Sequence, residues 1–193
     1  MFILEVTLMN PPNTSREEIM RVSRKIVSEK GLPALNMRTL AKECGIALGT
    51  LYNYYSDKDE LVVAAIESVW QDILEKSAPD SGVRFSQFVT QTYAHIIEKL
   101  KDYPDFLAAH SISVAGSVKG KARGMMERCF GKIRSELHAA LREDKNVDRS
   151  IFSETFREED LTEHILDTIT ISIINGKPDC ATLTEILDRL LYR

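Results

Sequence analysis

A cluster of hydroxyl, amide and ammonium side chains stands within a short stretch of the chain. Its members are Thr50, Tyr52, Asn53, Tyr54 and Lys58. Hydroxyl and ammonium groups donate hydrogen bonds to phosphate oxygens, and an asparagine amide can pair with the edge of adenine through two hydrogen bonds. The chemistry indicated by this spacing is therefore recognition of a phosphate backbone and of base edges.

Two short helices and a tight turn must position this cluster. Asn36 is expected to cap the first helix, because its side chain can accept from an N–H of the first turn. Gly45 is expected to end that helix with a positive φ, and a second helix follows at 48–54. A third helix is predicted from Asp57. Two helices joined by a glycine-containing turn form a helix-turn-helix, whose second helix enters the major groove of DNA.

The composition indicates a folded, helical protein. The chain has 193 residues, of which 44% are hydrophobic and 28% charged, and sustained alternation typical of strands is absent from the sequence. The formal net charge is −4, which argues against a uniformly basic surface. The first 55 residues are slightly basic and the rest is acidic, which fits DNA binding at one end. No apolar run reaches about 18 residues, so we expect no membrane association.

Apolar residues at helical spacing predict an all-α fold of about nine helices. We expect a helix-turn-helix domain at 14–60, with a first helix that begins after Thr14 or Ser15 and ends at Lys30. A ligand-binding and dimerisation bundle is expected at 61–193. Beyond the helix-turn-helix, the pattern predicts a break at 78–82, a loop at 144–159, and helices at 57–76, 84–102, 104–116, 119–143, 160–175 and 179–192.

The segment 16–73 resembles the DNA-binding domain of the TetR family of transcriptional regulators. The residues that carry the resemblance are 37–41 with 45–46, then 49–55 with its tyrosines, then 58–61 at the start of a long helix. The resemblance implies a homodimer whose recognition helices enter successive major grooves of a pseudo-palindromic operator, about 34–36 Å apart. It also implies repression that is relieved when a small molecule enters the helical body.

The resemblance also assigns residues to the DNA surface. Those placed there are Arg38, Leu48, Gly49, Thr50, Tyr52, Asn53, Tyr54 and Lys58, whereas Leu51 and Tyr55 are expected in the core. The sequence departs from the family at Ala47 and Leu48, where a small hydroxyl residue and a polar residue are usual. We expect the recognition helix to lack a side-chain cap there, and Leu48 to be able to contact a thymine methyl group.

Aromatic and methionine side chains indicate a place for a small apolar ligand in the body. In the family this region encloses the inducer, and such linings suit apolar molecules. The candidates are Trp70, Phe88, Phe106, His110, Met126 and Phe130. The same stripes can also be ordinary core.

The last two predicted helices carry more apolar residues than one bundle needs. Paired with their symmetry mates, they would form a four-helix interface between two copies of the chain. The interface candidates are Leu166, Ile169, Ile173, Leu183, Leu187 and Leu190. The alternative is a helix pair buried inside a monomer.

Cysteine usage and the N-terminus bear on the compartment. Cys44, Cys129 and Cys180 lack metal-ligand spacing and are expected to be reduced, buried thiols of a cytoplasmic protein. Residues 2–9 are apolar but lack a basic region and a cleavage site, so they make a poor signal peptide. One hypothesis is that Met9 is the natural start, and an intact mass that includes Phe2 would contradict it.

Three functions compete on the sequence alone. The first is a ligand-controlled DNA-binding regulator, and the second is a DNA-binding dimer without an inducer. The third is a helical adaptor or enzyme that kept the fold without DNA binding. The sequence shows no nucleophile–base pair or metal constellation, so we expect neither an enzyme nor a cofactor.

Overall fold

The structure is a computed structural model that describes residues 14–75, 82–108 and 119–192. Within the last range, the side chains of 119–123 and of Met126 are not described. Three sequence predictions therefore fall on residues that the structure does not describe. They concern Met9 as the natural start, most of the break at 78–82, and His110 as a ligand contact.

The described residues form an all-α fold, as predicted. Residues 106–108 are also helical, and short 3-10 turns lie at Leu32–Ala34 and Arg149–Ile151. Apart from one isolated bridge between Ser153 and Phe156, the described ranges hold no β-structure. The helices are α1 Arg16–Lys30, α2 Met37–Glu43, α3 Leu48–Tyr52, α4 Lys58–Ile73, α5 Phe85–Leu100, α6 Lys119–Glu143, α7 Glu158–Ile174 and α8 Ala181–Leu191.

Side-chain caps fix where the helices begin. The Ser15 hydroxyl accepts from the N–H of Glu18 at 3.1 Å, and the Asn36 side chain accepts from Thr39 at 3.0 Å, both as predicted. Asp57 was expected inside α4, but its carboxylate accepts from the Glu60 N–H at 2.7 Å. The helix therefore begins one residue later, at Lys58.

Glycines with positive φ follow the first two helices. Gly31 ends α1 with φ of 77°, and Gly45 follows α2 with φ of 67°. A residue with a Cβ rarely adopts this left-handed region, so both positions favour glycine.

One hydrophobic core joins the N-terminal helices to the body. Helix α4 packs against α1 and also against α5 and α6. A bidentate ion pair between Arg128 of α6 and Glu67 of α4, at 2.7 and 2.8 Å, adds to this contact. Movement of α4 therefore affects both parts of the chain.

Asp144 is a buried carboxylate that ties three segments together. It accepts hydrogen bonds from the Phe85 N–H at 2.8 Å, the Tyr192 hydroxyl at 2.7 Å and the Asn146 N–H at 2.9 Å. Burial would raise the pKa of Asp144, but these hydrogen bonds together hold it below its ordinary value. The start of α5 and the end of the described chain thus depend on one ionised group.

The three cysteines are free thiols, and two of them are buried as expected. Cys44 is only half-buried, because it lies in the exposed turn after α2, so the prediction of three buried thiols is wrong there. Burial raises the pKa of all three thiols, that of Cys129 to about 11, which keeps them protonated near neutral pH.

None of the helices described is both long and apolar enough to cross a membrane.

Candidate nucleic-acid interface and ligand cavity

Helix α3 is held from its inner side and from the start of α1. Leu51 and Tyr55 are buried in the core, as predicted. The Tyr54 hydroxyl donates a short hydrogen bond to the Thr14 carbonyl. The Arg16 guanidinium donates to the Tyr54 carbonyl at 2.8 Å and lies 5.1 Å from the centroid of the Tyr55 ring. The orientation of α3 is therefore set by residues that precede α1 or begin it.

The outer side of α3 presents side chains that the protein does not bury. Tyr52 is 48% exposed and Leu48 is 36% exposed, and Asn53 is exposed beside them. Arg38 of α2 and Lys58 of α4 are exposed as well. These five residues, which we call the exposed recognition set, are free to contact a partner.

Thr50 and Tyr54 are placed differently from the exposed recognition set. Both are half-buried, and the Tyr54 hydroxyl proton is committed to the Thr14 carbonyl. Its oxygen can then still accept a hydrogen bond, but donation to a phosphate requires the bond to Thr14 to open. The main effect of Tyr54 in the free protein is to anchor α3.

The start of α3 is open and uncapped. Ala47 provides no side-chain hydrogen bond to the first turn, as expected for an alanine at the capping position. A Cβ added to Gly49 would meet no atom within 4 Å, and Gly49 is not among the glycines with positive φ. The fold itself therefore does not require glycine at this position.

A large apolar cavity lies in the body. Its volume is about 580 Å³, and its wall includes three of the predicted ligand contacts, Trp70, Phe106 and Phe130. The Trp70 and Phe106 rings meet edge to face, with centroids 5.7 Å apart. Phe88 does not line the cavity, because it is buried against Phe85 instead. His110 and the Met126 side chain lie outside the described residues.

Part of the cavity wall comes from helix α7. Leu166, Ile169 and Ile173 were predicted to form a dimer interface, but all three are buried in the protomer and line the cavity. Tyr103, Ile96 and Leu100 also line it, although they were not among the predicted ligand contacts. A tyrosine before a Pro-Asp turn between two helical patterns was the available signal for Tyr103.

Comparison with known proteins places the helix-turn-helix in a family. Residues 19–65 match the family described as bacterial regulatory proteins, tetR family. The chain has a TetR-family N-terminal domain. The matched residues include most of α1, all of α2 and α3, and the first half of α4, and thus contain the exposed recognition set. The family and the relatives below are transcriptional regulators and not enzymes.

Individual relatives extend the comparison. An uncharacterised HTH-type transcriptional regulator of Haemophilus influenzae is 32% identical over 95 residues, which are 48% of this chain and 50% of that protein. The chain thus spans about half the length of this curated relative. Among solved structures, the chain is similar to BioQ, which was crystallised with its double-stranded DNA operator. The alignment covers 90% of this chain and 95% of the BioQ chain, with 17% identity and a TM-score of 0.59. The chain is also similar to the multidrug binding protein EbrR complexed with imidazole. That alignment covers 92% of this chain and 95% of the EbrR chain, with 17% identity and a TM-score of 0.61. These structures share the fold.

Apolar side chains remain exposed on α7 and α8, the last two helices. Ile171 and Ile174 of α7 are 58% and 62% exposed, and Ile186 and Leu190 of α8 are 55% and 37% exposed. A groove of about 450 Å³ runs between the two helices, and the predicted interface residues Leu183, Leu187 and Leu190 line it together with Ile186. Leu183 and Leu187 lie at its buried floor.

A polar contact joins the TetR-family domain to the cavity wall. The Tyr103 hydroxyl donates to one Asp72 oxygen at 2.8 Å, and the Arg24 guanidinium lies 3.8 Å from the other. Arg24 on α1 also donates to the Ser68 hydroxyl on α4. Burial and the bond to Asp72 raise the pKa of Tyr103, which therefore stays protonated and able to donate. We call Arg24, Asp72 and Tyr103 the α1–cavity contact.

Proposed function

We propose that this protein is a cytoplasmic, homodimeric DNA-binding repressor that a small apolar molecule releases from a pseudo-palindromic operator. Residues 14–60 would bind DNA, and residues 61–193 would bind the ligand and form the dimer. The observation that carries the proposal is the exposed recognition set on a TetR-family helix-turn-helix whose buried residues are already accounted for by packing. Cytoplasmic location follows from the proposed partner, since the operator is chromosomal DNA.

The geometry at the start of α3 supports DNA contact. Gly49 is exposed and the fold leaves room for a side chain there, so a requirement for glycine would come from the close approach of DNA. Leu48 offers a methyl-bearing surface to a thymine, and Asn53 offers an amide to adenine. Lys58 and Arg38 supply charge for phosphates.

The cavity favours a regulator that is controlled by a ligand, as opposed to a DNA-binding dimer that has no inducer. A volume of about 580 Å³ lies within the range of small-molecule sites, and the wall is almost entirely apolar. EbrR, which shares the fold, is described as a multidrug binding protein. A ligand would act by favouring a dimer geometry with a different spacing of the recognition helices.

The exposed apolar residues of α7 and α8 support the homodimer. Exposed apolar patches of this kind mark interaction surfaces, and a second copy could cover both helices through two-fold symmetry. In this proposal the contact is made by Ile171, Ile186 and Leu190, together with Ile174, which also lines the cavity. Leu183 and Leu187 would form the floor of the groove that the partner enters.

Replacing Tyr52 by alanine is expected to weaken binding to the DNA upstream of the protein's own gene by about tenfold, because the variant loses a DNA contact. Tyr52→Phe, which keeps the ring, separates the hydroxyl from the aromatic surface. Gel-shift titrations measure both variants, and circular dichroism melting checks that the fold is intact. Unchanged binding by Tyr52→Ala would remove Tyr52 from the interface.

Gly49→Ala is expected to separate folding from DNA binding. Alanine is favoured over glycine in a helix by about 1 kcal/mol, and the site has room for it, so thermal stability should rise slightly. DNA affinity should fall, because the new methyl group occupies the space for the approaching duplex. A variant that is more stable and binds DNA normally would show that Gly49 does not face DNA.

A further inference from the structure

The wall of the cavity is rich in aromatic rings. Trp70, Tyr103, Phe106 and Phe130 all line it, and the first three are buried. Ring faces carry partial negative charge, so they attract organic cations as well as neutral apolar groups.

The described residues that line the cavity carry charge of one sign. Asp105 is the single charged side chain among the described lining residues, and this part of the wall contains no lysine, arginine or histidine. The Tyr103 hydroxyl donates to Asp72, and the Thr170 hydroxyl donates to the Leu166 carbonyl at 2.8 Å. The protons of both lining hydroxyls are therefore already committed, and an anion finds neither a positive charge nor an uncommitted hydroxyl proton on the described wall.

Asp105 is exposed and has an unusual backbone conformation for a residue with a side chain. Residues 103–106 form a turn in which the Phe106 N–H donates to the Tyr103 carbonyl at 3.2 Å. Pro104 holds the second position of this turn, and Asp105 holds the third with φ of 59°. Glycine or asparagine best suits a positive φ at that position. An aspartate there brings a charge that the turn does not need.

We propose that the cavity selects hydrophobic organic cations over anions of the same size and shape, with Asp105 as the residue that sets this preference. The proposal rests on the proposed function only in taking the cavity as the ligand site. The exposed Asp105 carboxylate at the rim attracts a cation that enters the cavity, and the aromatic wall adds cation–π contacts. The same carboxylate repels an anion.

Tetraphenylphosphonium and tetraphenylborate provide the test, because they have nearly the same shape and opposite charges. Calorimetric titration of the full chain at constant ionic strength is expected to show binding of the phosphonium at least about tenfold tighter. Trp70 is the only tryptophan of the chain and lines the cavity, so a change in its fluorescence places the bound ion there.

Two variants then assign the preference. Asp105→Asn suits the turn at least as well as aspartate, and it is expected to reduce the phosphonium preference by about tenfold. Asp102→Asn removes the same charge three residues away, from an exposed side chain outside the cavity wall, and should leave the preference unchanged.

The outcomes separate this inference from the proposed function. Equal binding of the two ions, or a preference that Asp105→Asn leaves intact, overturns the inference while the cavity remains a ligand site. Binding of neither ion also overturns it, and in that case a ligand site in the cavity is itself contradicted. DNA binding is measured independently of all three results.

Discussion

Replacing Ile186 by glutamate is expected to make the protein monomeric and to lower its affinity for operator DNA more than about a hundredfold. Ile186 is 55% exposed on α8 and lines the groove between α7 and α8. In a two-fold interface each substitution occurs twice, and an unpaired carboxylate placed in an apolar contact costs several kcal/mol. A factor of one hundred corresponds to only about 2.7 kcal/mol.

Sedimentation velocity over a range of concentrations measures the change in assembly, and fluorescence anisotropy with labelled operator measures the change in DNA binding. Gln71→Glu adds the same charge at an exposed position of α4 and controls for net charge. Ile186→Ala removes apolar area without charge and should weaken the dimer less. A dimeric Ile186→Glu variant with normal DNA binding would exclude this surface as the interface.

Replacing Asp144 by alanine is expected to lower the free energy of unfolding by about 3 kcal/mol, the largest stability effect we predict. The carboxylate is buried and accepts from Phe85, Asn146 and Tyr192. Without it, buried donors at the start of α5 and at Tyr192 lose their acceptor. Urea unfolding followed by circular dichroism measures the loss, and Glu154→Ala, at an exposed position, serves as the control.

The effect of Asp144 should also depend on pH. Because its folded-state pKa lies below the unfolded value, its stabilisation is present above the unfolded pKa, about 4, and is lost as the pH falls toward the folded-state pKa. The stability difference between the wild type and Asp144→Asn should therefore shrink below about pH 4. A difference that stays constant across this range would show that the charge of Asp144 is not what stabilises the fold.

Local chemistry made the N-terminal region predictable. Asn36, Gly45 and Ser15 act within three or four residues of their own position, so the sequence alone reveals their effect on the backbone. The prediction that α3 reaches residue 54 was too long. The N–H groups of Asn53 and Tyr54 bond to carbonyls three residues earlier, which tightens the chain, and Tyr54 is then drawn toward Thr14, forty residues away.

The body was harder to predict, because α7 is apolar on more than one side. Ile169 and Ile173 are buried and line the cavity, Ile171 is exposed outside it, and Ile174 lines the cavity while remaining largely exposed, so residue type does not distinguish the sides. Which side faces inward depends on the packing of α6 against α7 and on the residues of α4 and α5 across the cavity, which lie far away in the sequence. For the same reason Asp72 and Arg24 could not be linked to Tyr103 in advance.

The α1–cavity contact has a further consequence for a protein that binds both DNA and a ligand. Asp72 bonds to Tyr103 on the cavity wall and pairs with Arg24 on α1, so a shift on either side changes the energy of the other. Thermodynamic linkage makes such an effect reciprocal. Operator DNA would then weaken ligand binding by the same factor by which the ligand weakens DNA binding, and copies of the protein bound at the operator would respond only at higher ligand concentrations than free copies.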